Sequence, residues 1–217
     1  MNFIKSLRKS DTGIGFTLET KMGIKENNLR NHDFTYQGKL VEAKAQRKGT
    51  SSMLTLFTKE PCVRKLRDPQ LIQKYGYKDK KGRSALKDTC VYGQLNGHNL
   101  GLDVDMKKGT VNMIDNTKQI VWQWLPDDIK LKFTNLLLVF ADREKRKDGE
   151  YFHYNEAYYL QNFEEKQFLK LVRAKKIVVD LRMHLKSSGA SRNHGTAFRT
   201  KFLDDLMNCY EKKERII

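Results

Sequence analysis

Five short β-rich runs, "SMLTLF", "DTCVYGQL", "HNLGLDVDM", "TVNMID" and "QIVWQW", follow one another between Ser52 and Trp124. Gly, Asn and Lys separate them, which is the pattern of a meander of antiparallel strands. Around this block, "TGIGFTLETKMGI" reads as an early helix capped near Thr12, with Leu18 and Met22 turned inward. "PDDIKLKF" starts like a helix, Pro126 standing ahead of Asp127 and Asp128. "NLLLVFADRE", "YFHYNEAYYL" and "IVVDLRMHL" read as strands, "FEEKQFLKLVRAK" as an amphipathic helix, and "FRTKFLDDLMNCYEKK" as a final helix. The order is mixed α/β with the strands grouped, in the α+β manner. The basic cluster "DREKRKDG" at 142–149 reads as a solvated loop.

The 217 residues are 39% hydrophobic and 31% charged, which suits one domain over 1–217 with a sizeable core. Lys and Arg number 42 against 26 Asp and Glu, a formal charge of +16, and the isoelectric point is near 9.7. Such a surface concentrates polyanions, of which nucleic acid is the commonest. No apolar run approaches the length of a membrane-spanning helix, and "MNFIKSLRKS" is too short and polar for a secretory signal. An intracellular chain with no membrane partner is expected. Cys62, Cys90 and Cys209 are too far apart for a C-x-x-C zinc site and odd in number, so free thiols are expected. The five histidines show no paired ligand spacing either, which leaves carboxylates as candidate metal ligands.

"DFTYQGKLVEAKAQRKG" places two acids and a lysine around a tight turn in this basic chain. With Gln37-Gly38 as the two-residue loop of a hairpin, Tyr36 faces Lys39, Thr35 faces Leu40, Phe34 faces Val41, and Asp33 faces Glu42. Strand alternation then puts Glu42 and Lys44 on one face and Val41, Ala43 and Ala45 on the other. Opposed carboxylates repel unless a cation lies between them. Mg²⁺ fits, because it takes a few carboxylate oxygens and leaves its other positions for water or phosphate. Lys44 beside it would stabilise charge on a phosphate. A salt-bridged, solvent-facing hairpin is the plain alternative, since E-x-K occurs four times, at Glu19, Glu42, Glu164 and Glu211.

"GIGFTLETKMGIKENN", "GKLVEAKAQRKGTSSMLTLFTKEP", "YFHYNEAYYL" and "VDLRMHLKSSGASRNHGTAFR" together resemble the MvaI/BcnI family of restriction endonucleases, relatives of the mismatch-repair nickase MutH. The resemblance covers the chain from about residue 13 to the last helix. It implies a PD-(D/E)xK core, a mixed sheet flanked by helices, with a catalytic part at about 11–125 and a DNA-recognition part at about 126–217. It also implies Mg²⁺-dependent hydrolysis of duplex DNA to 5′-phosphates, Mn²⁺ being able to substitute. Asp33 and Glu42 would be the metal ligands, Lys44 the catalytic lysine, and Glu19 a helix glutamate near them; alternatively Glu19 pairs with a neighbouring lysine. The proline expected before the first aspartate is replaced by His32. A monomer in a prokaryotic cytoplasm, with a cognate DNA methyltransferase, is further implied, and sites of the CC(W)GG or CC(S)GG kind are the ones members read. A MutH-like nickase and a DNA-binding module without catalysis are the alternatives.

In "IVVDLRMHL", Ile177, Val179, Leu181, Met183 and Leu185 alternate with Asp180, Arg182 and His184. Arginine fits guanine O6 and N7, aspartate accepts from cytosine N4, and histidine offers a donor or an acceptor. The resemblance places these three, with Arg192, His194 and Arg199, in the base-reading region; the plain alternative is an outer strand whose Asp180 and Arg182 neutralise each other. "RNHG" could also suggest an HNH nuclease using His194, but no further ligands sit at a useful spacing. "GTSSMLTLF" reads as a third sheet strand, with Lys48, Thr50 and Ser51 near phosphate, or as a loop. The tyrosines of "YFHYNEAYYL" and the tryptophans of "VWQW" suit core packing better than stacking on DNA.

Overall fold

A computed structural model describes residues 2–24, 33–130 and 135–217. In chain order these form β1 (Ile4–Lys5), α1 (Gly13–Lys21), β2 (Phe34–Tyr36), β3 (Lys39–Arg47), β4 (Leu54–Thr58) and β5 (Val63–Arg64). Next come α2 (Asp68–Tyr75), β6 (Tyr77–Lys78), β7 (Ser84–Cys90), β8 (Leu100–Asp105), β9 (Thr110–Asp115), β10 (Ile120–Trp124) and α3 (Pro126–Lys130). The rest is β11 (Asn135–Arg146), β12 (Gly149–Phe163), α4 (Glu165–Arg173), β13 (Ile177–Leu185), β14 (Ser191–Asn193), β15 (Ala197–Thr200), α5 (Leu203–Met207) and β16 (Tyr210–Arg215). This is the mixed α+β class expected, strand-rich with few helices. Among the described residues no helix is long and apolar enough to cross a membrane. The three cysteines are free.

The chain groups into two compact units. Unit 1 comprises Met1–Ser52, Phe133–Phe163 and Tyr210–Ile217; unit 2 comprises Met53–Lys132 and Glu164–Cys209. Strand pairing sets the interleaving, because β3 recruits β11 from ninety residues downstream as a parallel neighbour.

The sheet of unit 1 runs β1-β12-β11-β3-β2, with β16 also paired to β12. Only β3 and β11 are parallel within it. Ile14 and Leu18, four residues apart on one face of α1, pack with Ala45, Val139, Ala141, Phe152, Tyr154 and Ala157. Burying the Ile14, Leu18 and Val139 side chains contributes about 1.5–3 kcal/mol each. Tyr154 Oη donates to the Ile14 carbonyl at 2.8 Å, which pins the helix to the sheet. Met22, expected inward, follows the last helical residue and is 39% exposed. The basic cluster expected as a loop is mostly strand. β11 and β12 stay paired out to Arg146 opposite Gly149, and only the turn at Lys147 and Asp148 is loop. Arg146 lies 4.0 Å over the Tyr151 ring, so its stem finds apolar cover on an otherwise exposed ribbon.

In unit 2, β8, β9 and β10 form the expected meander, with β5 at its edge. "SMLTLF" and "DTCVYGQL" instead supply β4 and β7 to a second sheet, ordered β4-β15-β13-β7-β6, with β14 on β13. β4 is therefore not a third strand beside the β2–β3 hairpin. The core is aromatic: Phe57 stacks on Phe198 at 4.7 Å, and Trp124 meets Phe198 edge-on at 5.2 Å. Trp122 and Trp124 are fully buried. Their indole N–H groups donate to the Leu66 and Lys59 carbonyls, each at 2.8 Å, so nothing polar is stranded.

Of the expected "PDDIKLKF" helix, Pro126–Lys130 lies within the described residues and is helical. The expected final helix breaks into the end of β15, a short α5 and the strand β16, because Tyr210–Arg215 pairs with β12 from Tyr158 to Phe163. There, tertiary pairing overrides local helical propensity.

Candidate active site and nucleic-acid interface

The β2–β3 hairpin has the expected register: Phe34 pairs with Val41, Thr35 with Leu40 and Tyr36 with Lys39. Gln37 (φ 49°) and Gly38 (φ 73°) both take the left-handed conformation that a two-residue hairpin loop requires. Along β3, Val41, Ala43 and Ala45 are buried, whereas Glu42, Lys44 and Gln46 are partly exposed. The small apolar face meets α1 and the core, and the acid and the lysine stand together on the other face. Lys44 Nζ is ion-paired with Glu42 Oε1. Asp33 Oδ2 accepts a hydrogen bond from the Ala43 amide at 2.7 Å. That amide lies between Glu42 and Lys44 in the chain, so the three side chains converge on one short stretch of β3.

This donor set fits Mg²⁺, which is bound through one or two carboxylates and keeps oxygens of water and phosphate around it. Among the described residues, no group of three or more His, Cys, Asp or Glu side chains is placed to hold an ion. The fit is thus to a two-carboxylate site completed by substrate and water. Glu19 lies on α1, partly exposed, on the helix that packs against the Ala45 face of β3. His32 lies outside the described residues.

The expected reading strand, β13, is central in the second sheet, between β7 and β15. Its polar face differs from expectation, because Asp180 (7% exposed) and His184 (6%) are buried rather than presented. The cause is their cross-strand neighbours. Asp180 accepts from Thr89 Oγ1 at 2.7 Å and from Arg199 Nη1 at 2.5 Å. Arg199 also donates to the Met53 carbonyl at 2.9 Å. Asp180 is thereby paired with Arg199, and not with Arg182 as the plain alternative had it. Arg182 lies opposite Lys87, and its buried Nε has no hydrogen-bond partner.

His184 Nε2 sits 3.2 Å from Arg83 Nη1, and Arg83 is held by Asp79 Oδ2 through Nε (3.0 Å) and Nη2 (2.7 Å). A guanidinium only donates, so His184 Nε2 accepts and its proton sits on Nδ1. That Nδ1 is buried and unpartnered. Burial first, and then the charges of Arg83, His194, Arg192 and Lys87, push the His184 pKa down, which keeps the ring neutral. His194 stacks on it at 5.6 Å, and Arg192 pairs opposite it on β14. The sheet therefore brings together Asp180, Arg182, His184, Arg192, His194 and Arg199. It adds Arg83, Lys87 and Thr89, which the sequence reading missed; only the pairing of β7 with β13, ninety residues apart, reveals them.

The other expected DNA contacts lie in unit 1. Lys48 is ion-paired with Glu156 at 2.7 Å. Thr50 Oγ1 meets Ser52 Oγ at 2.6 Å, and Ser51 is exposed. Tyr154 and Tyr159 are buried, as expected for core aromatics.

The sequence pattern of the MvaI/BcnI restriction endonuclease family matches residues 1–207. Among solved structures, "Restriction endonuclease MvaI-cognate DNA substrate complex" is similar over 99% of this chain and 92% of that chain, at 25% identity and a TM-score of 0.81. "Restriction endonuclease MvaI in the absence of DNA" is similar over 97% and 91%, at 20% identity and a TM-score of 0.58, a likeness of fold alone. No curated protein matches the chain.

Proposed function

The chain belongs to the MvaI/BcnI restriction endonuclease family of Type II site-specific deoxyribonucleases, and we propose that it cuts duplex DNA with Mg²⁺ at a short G·C-containing site. The observation that carries the cofactor and the chemistry is the convergence of Asp33, Glu42 and Lys44 on β3. Asp33 and Glu42 would hold the ion, and Mn²⁺ can replace it. Bound there, the ion supplies Lewis-acid polarisation of the phosphate and a nucleophile from water at neutral pH. Lys44 places its ammonium beside the phosphate and offsets the charge that builds on its oxygens. Glu42 orients Lys44 through their ion pair, and the Ala43 amide fixes Asp33. Glu19, from α1, helps to position this group. The products are 5′-phosphates.

Arg182, the partly exposed polar residue of β13, is the side chain that would meet a base edge, and the buried His184 beside it would hold that face in place. Asp180 positions Arg199 on the same sheet, while Arg192, His194, Lys48, Thr50 and Ser51 contact phosphate. A CC(W)GG or CC(S)GG-like site suits these groups, and a cognate methyltransferase in a prokaryotic cytoplasm would protect the host's own copies.

Plasmid digested with Mg²⁺ should give discrete fragments whose sequenced ends share one short motif, and EDTA should stop the reaction. Ends without a common motif, or an intact plasmid, would overturn the proposal. Arg182→Ala should cost about 1–3 kcal/mol of affinity for the cognate site and little for random duplex, the worth of one bidentate base contact. Equal losses on both would make Arg182 a phosphate contact.

The described residues hold one Asp33, Glu42 and Lys44 group, and one such group matches one strand polarity. A monomer of 25.4 kDa should therefore break a duplex by two successive nicks. Supercoiled plasmid with a single site is expected to pass through open circle before becoming linear. Linear product without open circle, from a stable dimer in scattering, would contradict this, and a reaction that halts at open circle would point to a nickase.

A further inference from the structure

A cavity of about 450 Å³ in unit 1 is lined by none of Asp33, Glu42 and Lys44. Three distant segments line it: the N-terminal stretch from Lys5 to Asp11, the end of β3 with Thr50 and Ser52, and the β11–β12 arm. Seven of its fifteen lining residues are Lys or Arg, against three carboxylates. Two of those carboxylates are already engaged. Glu150 takes the fork of Arg47 at 3.1 and 2.8 Å, and Asp148 takes Lys5 at 2.8 Å. Lys9 and Lys145 are exposed and form no ion pair among the described residues. The cavity thus keeps an unneutralised positive charge on a built floor, where Arg47 also lies 5.2 Å over the Phe152 ring and donates to the Asp11 carbonyl.

We propose that this cavity is a phosphate-binding site for the backbone of duplex DNA, separate from the bond that is cut. Strand alternation puts Arg47 on the face of Val41, Ala43 and Ala45, opposite Glu42 and Lys44. A rise of roughly 3.3 Å per residue sets its Cα about 10 Å along β3 from that of Lys44. The backbone phosphates held here are therefore not the attacked one, and these contacts position the duplex without reading sequence. The cavity is of the size that takes a small ligand, so a free polyphosphate is the competing occupant. The inference rests on the reading of the chain as a DNA endonuclease.

The double variant Lys9→Ala/Lys145→Ala tests it, since both side chains are exposed and outside the catalytic and base-reading groups. Binding of metal-free protein to random-sequence duplex would be measured against salt. The slope of log affinity on log salt should become shallower by about two, near one for each lost phosphate contact. Cognate and random duplex should weaken alike, with the melting temperature unchanged. An unchanged slope would overturn the proposal. So would tripolyphosphate binding that the variant loses while its DNA slope stays at the wild-type value. Failure of the wild-type protein to cut any plasmid would strike at the endonuclease reading instead, because the salt slope is read without cleavage.

Discussion

Lys44→Ala is expected to slow cleavage of a cognate duplex by about 10³-fold, the scale of losing a charge that meets the transition state. Lys44 touches Glu42 and stands on the solvent side of β3, so its removal opens no cavity in the core. The protein should fold, bind its site and fail to cut. Asp33→Ala and Glu42→Ala should be equally inactive. Without metal these two should bind DNA as tightly as wild type or more so, because a negative charge facing phosphate has been removed. A rate for Glu42→Ala near that of the wild type would place the chemistry elsewhere.

Arg199→Ala should be the most damaging change on the reading sheet. Asp180 is buried, and without the guanidinium its carboxylate keeps only the Thr89 hydroxyl. Stranding a buried charge in this way costs about 3 kcal/mol, or roughly 6–12 °C in melting temperature for a chain of this length. Arg182 and His184 follow Asp180 on the same face of β13, so cognate affinity should fall as well. Adding Asp180→Asn to Arg199→Ala removes the stranded charge and should restore at least half of the lost stability. An Arg199→Ala protein within 0.5 kcal/mol of wild type on this measure would mean that the pair behaves as a surface ion pair.

The hairpin that carries Asp33, Glu42 and Lys44 was legible because its determinants are local. A Gln37-Gly38 loop and period-two burial in "LVEAKA" fix register and facing without help from the rest of the chain. The same is true of the β8–β9–β10 meander. What was not legible depends on distant partners. Nothing near Asp180 in the sequence announces Arg199 across β15 or Thr89 across β7, and the pattern alone presented Asp180 as outward. The basic run at 142–146 carries a loop's composition, yet it pairs with Gly149–His153 because the β11–β12 ladder simply continues. Tyr210–Arg215 reads as the tail of a helix until β12 offers it an edge. The family resemblance supplied the roles at both sites, which strand periodicity could not.

The central claim is that a divalent ion sits between Asp33 and Glu42, and self-cleavage with Fe²⁺ in place of Mg²⁺ tests it without relying on activity. Fe²⁺ with ascorbate and peroxide generates hydroxyl radicals at the bound metal, and these cut the nearest backbone. In the protein bound to cognate DNA, the account predicts chain breaks clustered at residues near Asp33 and Glu42, suppressed by excess Mg²⁺ and absent in Glu42→Ala. Breaks clustered at other carboxylates, or a pattern that Glu42→Ala leaves unchanged, would contradict it.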